Sequence, residues 1–226
     1  TAAPTNSQIC SGQEQGLSDF PIERIAQQVD PDQHQRTLLD DLKAATTQAV
    51  SILQAACPSE LPSTPTGRIA AMRTRVAAML QAVQVARPAL DKFYQSLSDE
   101  QKERFNVIDQ DETTGQRQAD IADLCQRTKR NGPLLDRTEH ILHLSNDQDV
   151  ALKDLKEASA KAADLLAANC RSDQPITPTG RLAAMEERLN GIVQALDLVQ
   201  APLEKFYNSL SDEQKARFNR LGAPST

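Results

Sequence analysis

The sequence contains few aromatic residues and little glycine. Phe, Tyr and Trp make up 3% of 226 residues, Trp is absent, and Gly occurs eight times. Only 39% of the residues are hydrophobic. This composition is too poor in large side chains for a wide globular core, but it suits narrow seams between helices rich in Ala and Leu. Because runs of β-branched residues are also absent, an all-α fold is predicted.

Long apolar runs and an excess of positive charge are absent as well. Without about 18 consecutive apolar residues, no membrane-spanning helix is predicted. The 25 basic and 31 acidic residues give a net charge of −6, and neither half is basic, which argues against nucleic acid as a partner. The chain begins TAAPTNSQ without Met, so we expect either a mature protein that has lost a signal peptide or a trimmed chain.

Enzyme motifs are missing too. There is no Gly-rich phosphate loop, no GxSxG elbow and no HExxH. The three His residues lie outside any triad pattern. We therefore expect neither catalysis nor a cofactor.

Four Cys residues, Cys10, Cys57, Cys125 and Cys170, form no CxxC pair, which argues against zinc or thioredoxin-type chemistry. One pair per half predicts disulfides Cys10–Cys57 and Cys125–Cys170. Closing each loop would contribute about 4 kcal/mol on the chain-entropy model. Disulfides imply an oxidising compartment such as the periplasm. The alternative is four buried thiols.

The sequence is an internal duplication. FYQSLSDEQKERFN begins at Phe93, and FYNSLSDEQKARFN begins at Phe206. At the same offset PTGRIAAM matches PTGRLAAM, and DDLKAATTQAVSILQAAC matches KDLKEASAKAADLLAANC. The predicted organisation is repeat 1 over residues 1–106, a polar linker over 107–118 and repeat 2 over 119–226.

Each repeat contains one long predicted helix. Thr64-Pro65 and Thr177-Pro178 place a capping hydroxyl before a Pro at the first helical position. Apolar residues then recur at alternating steps of three and four, from Ile69 to Leu97 and from Leu182 to Leu210. This spacing predicts a narrow, coiled-coil-like seam.

The long helix needs a packing partner, which is predicted from about Gln33 to Ala56 and again from Asn146 to Asn169. A shorter helix (21–29; 134–143) precedes it. Pro88 and Pro202 lie inside the long helices without breaking the apolar register, which predicts a bend. Each repeat is thus predicted to be a long bent helical hairpin with short flanking helices.

A Leu-Ser-x-x-Gln motif occurs three times at predicted helix starts. Its Ser and Gln can cap each other's backbone N–H groups in a capping box. The residues are Leu97, Ser98, Gln101, Leu144, Ser145, Gln148, Leu210, Ser211 and Gln214. A fourth site, Pro31 to Gln35, keeps the Gln and a capping Asp but has Pro in place of Leu. These motifs predict sharp corners between helices.

With these motifs in both repeats, over about residues 20–106 and 133–219, the chain resembles the Spy/CpxP (LTxxQ-motif) family of periplasmic stress proteins in a tandem-duplicated form. The resemblance implies an all-α, ATP-independent protein. Some family members hold partly folded clients, and others restrain an envelope-stress sensor or bind metal. Two repeats in one chain imply a monomer that acts as an internal pseudo-dimer, or a homodimer.

Two functional hypotheses follow, with a purely structural helical spacer in the envelope as a third possibility. The first is a periplasmic chaperone-like protein that binds unfolded or partly folded clients on an amphipathic helical surface, to which Tyr94 and Tyr207 could contribute. The second is an envelope-stress regulatory or metal-responsive adaptor that docks on a sensor protein. For the second, His140 and His143 are metal candidates, because a spacing of three puts both on one helix face.

The helix starts near Arg68 and Arg181 allow two interpretations. Free N–H groups and an Arg could receive an anion there. An ordinary capped helix with a surface Arg is favoured.

Overall fold

The computed structural model describes residues 22–58, 60, 62–108, 135, 138–139, 141–168, 170 and 175–221. These residues contain no strand, which confirms the all-α prediction. The helices are α1 (Ile22–Val29), α2 (Gln33–Ala55), α3 (Pro65–Ser96), α4 (Asp99–Ile108), α5 (Asn146–Ala168), α6 (Pro178–Ser209) and α7 (Asp212–Leu221). Both ends of α2, α3 and α4 recur at the aligned positions in α5, α6 and α7, so the duplication in sequence is also a duplication in structure.

The start of each long helix is fixed by its Thr-Pro-Thr-Gly segment. The Thr64 hydroxyl accepts a hydrogen bond from the Gly67 N–H at 3.1 Å, which satisfies one of the free donors at the helix start. A Cβ on Gly67 would lie 2.7 Å from the Cβ of Pro62. Only glycine fits there, and Gly180 meets Pro175 at the same distance.

The segment that leads into α2 begins with a left-handed residue. Asp30 has φ 49°, and its N–H donates to the Ala26 carbonyl at 3.3 Å. His143, at the aligned position before α5, has φ 50°. Because a left-handed residue just after a helix is a common way to end it, these two polar residues terminate the helical segments that precede them.

The two internal prolines do not interrupt their helices. Pro88 lies within α3 and Pro202 within α6, and the helices continue past them to Ser96 and Ser209. The bend that these prolines imply stays a prediction.

The chain forms two compact units that differ from the two sequence repeats. Of the described residues, unit 1 holds those up to 60, from 75 to 108 and from 175 to 190, whereas unit 2 holds those of 62–74, 135–170 and 191–221. We call residues 62–74 arm 1 and residues 175–190 arm 2. Each arm belongs to the unit that holds the main part of the other repeat. The sequence boundaries of the repeats and the linker stay predictions, and residues 109–118 lie outside the described part.

The core of unit 1 joins α1, α2, α4 and the second half of α3. Its buried residues are Ile22, Ile25, Val29, Leu39, Leu42, Leu90, Phe93, Leu97, Phe105 and Ile108. Leu182 of arm 2 packs against this core. A smaller cluster of Ala49, Leu53 and Ala82, with Met79 against it, brings α2 close to α3 through small side chains.

Unit 2 repeats this arrangement with residues of the second copy. Its buried residues are Leu142, Ala151, Leu152, Leu155, Leu203, Phe206 and Leu210. Ile69 of arm 1 packs against them. Phe93 and Phe206 are both fully buried, so the aligned phenylalanines occupy the same place in the two cores.

The described helices do not have the character of membrane spans. Over the residues that the structure describes, each helix is too short or too polar to cross a bilayer.

Candidate functional site

The repeated Ser-x-x-Gln motifs form capping boxes at helix starts. At α4, the Ser98 N–H donates to Gln101 Oε1 at 2.9 Å, and the Gln101 N–H donates to Ser98 Oγ at 3.3 Å. The same reciprocal pairs occur at α5 and α7, with distances of 3.0 and 3.4 Å and of 2.9 and 3.3 Å. At the fourth site Asp32 replaces Ser and bonds reciprocally with Gln35 at 2.8 and 2.9 Å. Each of these four helix starts therefore has a reciprocal cap.

The four glutamines also contact one another in pairs, which the sequence did not reveal. In unit 1, Gln35 and Gln101 donate to each other's side-chain oxygen at 2.9 Å in both directions. In unit 2, Gln148 and Gln214 do the same at 2.9 and 3.1 Å. We call each pair a glutamine corner. Two motifs 66 residues apart thus form one site.

Each glutamine corner also holds the ends of two further helices. Gln35 Nε2 donates to the Ser96 carbonyl at the end of α3 (2.8 Å), and Gln101 Nε2 donates to the Val29 carbonyl at the end of α1 (3.3 Å). In unit 2, the aligned bonds run from Gln148 to the Ser209 carbonyl at 2.7 Å and from Gln214 to the Leu142 carbonyl at 3.1 Å. Each amide caps the start of its own helix and the end of another. The corner therefore satisfies backbone groups that helix ends leave free.

The apolar residue of the motif is buried at three of the four sites, and at the other site Leu144 packs half-buried against the core of unit 2. Leu97 and Leu210 are both 4% exposed and belong to the two cores. Pro31, at the degenerate site, is also buried. Because each amide oxygen and nitrogen is already bonded within the fold, the glutamine corners are structural sites. They fix where the long helices begin and end.

Tyr94 and Tyr207 lie beside the corners and are half-buried. The Tyr94 ring packs against Phe105 at 6.0 Å, and Lys102 Nζ lies 5.9 Å from the Tyr94 ring centre. Tyr207 has equivalent contacts with Phe218 and Lys215, at 6.2 and 5.7 Å. Each tyrosine is therefore partly accessible beside a lysine. Their contact with a client stays a prediction.

The apolar seams of the long helices are buried unevenly. The seam residues of α3 are buried from Val83 to Phe93, whereas Ile69 is only half-buried and Met72 is 52% exposed. In arm 2, Leu182 is half-buried and Met185 is 47% exposed. The heptad spacing predicts one continuous seam, but the arms leave their share of it partly open to solvent. These arm residues are the candidate binding surface.

An open polar groove lies beside arm 1 in unit 2. It has a volume of about 450 Å³, and small or polar side chains line it: Ala70, Arg73, Thr74, Asp197, Gln200, Ala201 and Glu204. Because charged and amide groups dominate this lining, the groove adds little apolar area to the arm.

The other predicted site residues fall partly outside the described residues. Cys57 and Cys170 are disulfide-bonded, but Cys10 and Cys125 are not described, so the proposed pairing stays a prediction. His140 is also outside the described part, and His143 is exposed. Within the described ranges no three His, Cys, Asp or Glu side chains are grouped so that they could hold a metal ion.

Arg68 has a structural role rather than an open anion-binding one. Its guanidinium donates to the Pro62 and Ser63 carbonyls at 3.3 and 2.9 Å, and so closes the loop before α3.

These features define a class: an all-α repeat protein whose helices turn at paired Ser/Gln caps. The sequence matches the LTXXQ motif family over residues 17–109 and again over residues 134–222, and the chain belongs to that family. The two matches confirm the resemblance drawn from the motifs and its duplicated form. No curated protein and no solved structure matches the chain.

Proposed function

We propose that the protein is a periplasmic, ATP-independent chaperone-like protein that binds unfolded or partly folded polypeptides through its arms. The observation that carries this proposal is the uneven burial of the seams. The same apolar spacing is mostly buried in the second half of each long helix and half-exposed in the arm. Membership of the LTXXQ motif family supports the same class of function.

The side chains of the arms suit weak binding to many sequences. Met72 and Met185 occupy aligned positions, and about half of each residue is accessible. Methionine is unbranched and polarisable, so it adapts to apolar surfaces of different shape. Flexible, Met-containing surfaces are typical of proteins that bind several partners. Lys102 and Lys215, beside the half-buried tyrosines, would add reversible polar contacts.

A light-scattering assay tests the proposal. The full chain, at equimolar amounts, is expected to suppress aggregation of a chemically denatured client without ATP. The double variant Met72→Gln/Met185→Gln should lose most of this effect. Val150→Gln is the matched control, because Val150 is 58% exposed but lies on α5 rather than in an arm.

Two results would contradict the proposal. One is an absence of suppression at tenfold excess of the protein. The other is an equal loss in the double variant and in the control, because that would separate the activity from the arms.

The periplasmic location carries its own expectation. We infer that Cys57 is paired with Cys10 and Cys170 with Cys125, which requires an oxidising compartment. Mass spectrometry of peptides digested without reductant should find both links. Recovery of the protein from its source with four free thiols would contradict the location.

A further inference from the structure

The two arms are exchanged between the repeats. Ile69 of repeat 1 packs against the core formed by residues of repeat 2, and Leu182 of repeat 2 packs against the core of repeat 1. These two residues are aligned by the duplication and are both aliphatic. An arm and the seam of its own repeat lie on one continuous helix, so an arm cannot fold back onto its own copy. In the competing arrangement, each arm would pack against the core of the same repeat in a second molecule: arm 1 on a second copy of repeat 1, and arm 2 on a second copy of repeat 2.

The apolar contacts cannot decide between these two arrangements. Ile69 and Leu182 are similar in size and shape, and the cores that receive them repeat the same seam residues, such as Phe93 and Phe206. Either aliphatic side chain would therefore fit either core about equally well. If the arms themselves select the partner, a feature other than these apolar contacts has to differ between them.

The charged contacts of the arms differ between the repeats. In unit 2, both guanidinium nitrogens Nε and Nη2 of Arg73 donate to the Asp197 carboxylate, the second at 3.5 Å. In unit 1, Glu186 of arm 2 accepts from Arg87 Nη1 at 2.7 Å and from Gln84 Nε2 at 3.4 Å. Hydrogen bonds with Asp197 and Glu186 raise the pKa values of Arg73 and Arg87 above the ordinary value for arginine.

Sequence alignment shows that the arm residues of these two contacts occupy equivalent positions but carry opposite charge. Arg73 aligns with Glu186 in the arms, and Gln84 aligns with Asp197 in the helices that receive them. Arg87 aligns with the neutral Gln200. Arg73 of arm 1 is positive, like Arg87 of its own repeat, and binds the negative Asp197 of the other repeat. Glu186 of arm 2 is negative, like Asp197 of its own repeat, and binds the positive Arg87 of the other repeat. Like pairing between two molecules would place Arg73 near Arg87, or Glu186 near Asp197.

From this pattern we propose that the charges of the arms specify unlike pairing: each arm recognises the main part of the other repeat and is repelled by a second copy of its own. The apolar residues Ile69 and Leu182 provide contact area, and the charges determine which repeat each arm binds. Specificity of this kind needs a penalty for the wrong partner as well as an attraction to the right one. Asp91 and Glu204 are both acidic at their aligned positions, so they do not contribute to the choice.

The strength of these contacts fits a role in selection. The side chains of Arg73 and Asp197 are 42% and 45% exposed, and those of Arg87 and Glu186 are 39% and 23% exposed. Exposed ion pairs contribute little to stability. A wrong pairing, however, replaces an attraction with a repulsion at every arm. Because the repeats share one chain, the correct pairing also has the advantage of a high effective concentration.

Charge reversal in the full chain tests the two contacts separately. Arg73→Glu and Asp197→Arg should each lower the thermal midpoint by about 2–4 °C, and the double variant should recover most of this loss. The corresponding variants in unit 1 are Glu186→Arg, Arg87→Glu and their combination. Lys92→Glu is the control, because Lys92 is exposed on α3 and has no charged residue three or four positions away. The proposal is overturned if the thermal midpoint of either double variant is no higher than that of the less stable of its two single variants.

The exchange Arg73→Glu/Glu186→Arg tests the choice of partner and leaves composition and net charge unchanged. It makes both intramolecular contacts repulsive. It also makes like-with-like contacts attractive, because the new carboxylate would face Arg87 in repeat 1 of a second molecule. Light scattering coupled to size exclusion should therefore show a mass that rises with protein concentration more steeply than for the wild type. An identical mass profile for the two proteins would overturn the proposal.

Discussion

Helices α4 and α7 have nearly the same sequence but are buried to different extents. In α4, Phe105 and Ile108 are buried, at 3% and 6% exposure. The described residues of α7 include none that is buried, and Leu221, aligned with Ile108, is 40% exposed. The aromatic contacts are nevertheless alike, with edge-on phenylalanine pairs whose ring centres are 5.8 Å apart in unit 1 and 5.5 Å apart in unit 2.

The residues around the two helices differ in the same direction as the burial. Ile25 of α1 packs in the same core as Phe105, whereas the aligned residue in repeat 2 is Thr138, which is buried but polar. Tyr94 donates a hydrogen bond to Asn106 Oδ1 at 3.1 Å, whereas the buried Oδ1 of Asn219 has no hydrogen-bond partner among the described residues. Local sequence therefore accounts for the cap and the ring pair. The greater burial of α4 accompanies an apolar partner, Ile25, that repeat 2 does not have at the aligned position.

The largest expected contrast is between Phe105→Ala and Phe218→Ala. Removing a fully buried phenylalanine costs about 3–5 kcal/mol of unfolding free energy, and a partly buried one costs less. We expect Phe105→Ala to lie in that range and Phe218→Ala to cost about half as much. Urea unfolding followed by circular dichroism measures both. Equal losses of unfolding free energy would show that the greater burial of Phe105 does not make it more stabilising than Phe218.

The glutamine corners give the next contrast. Gln35 is 6% exposed and bonds the carbonyl of the half-buried Ser96, whereas the more exposed Gln148 bonds the carbonyl of the exposed Ser209. Truncation therefore leaves a more buried carbonyl unsatisfied in unit 1. We expect Gln35→Ala to cost about 2 kcal/mol and Gln148→Ala about 1 kcal/mol. The same urea measurements on Gln35→Ala/Gln101→Ala should give less than the sum of the single losses, because the two amides bond each other. Strict additivity would mean that the paired geometry does not form.

The glycines at the starts of α3 and α6 should show no contrast. Gly67→Ala and Gly180→Ala each place a Cβ 2.7 Å from a proline Cβ. Relief of that overlap should cost about 1–2 kcal/mol in both repeats. Thermal unfolding of the two variants should give the same shift, with Ser63→Ala, an exposed change in the same loop, as the control. A stabilised variant would show that the loop moves freely enough to accept a methyl group.

The smallest expected effect concerns Glu23, which lies 3.4 Å from Lys43. Its own backbone hydrogen bond, and then Lys43, lower the pKa of Glu23 below its ordinary value of 4.5. A lowered pKa gives stability that is present above the unfolded value and is lost as pH falls through the folded value. The wild type should therefore unfold at a slightly higher temperature than Glu23→Gln near neutral pH, and at the same temperature at about pH 3. A difference that persists in acid would assign the effect to packing.

Local features of this fold can be predicted from the sequence with good accuracy. The apolar spacing predicts the second helix from about Gln33 to Ala56, and the helix runs from Gln33 to Ala55. Ser98 and Gln101 have the spacing of a reciprocal cap, and they form one. These features depend on residues within one turn of each other, so the sequence contains the whole interaction.

Features that depend on distant residues could not be predicted in the same way. The bond between Gln35 and Gln101 joins positions 66 residues apart. A heptad seam indicates that a helix needs a partner but not which one, and the two repeats have the same seam. The sequence therefore did not show that Ile69 and Leu182 each pack against the core of the other repeat, or that the arms are partly exposed. The opposite charges of Arg73 and Glu186 were a signal that a closer comparison of the repeats could have detected.

The position of Leu182 has a consequence for biosynthesis. Since this side chain packs onto the core that contains Phe93, the core of the first copy cannot reach its final packing until the segment around Leu182 has left the ribosome. The two copies should then mature together rather than one after the other, and a truncated product that ends between them should be prone to degradation.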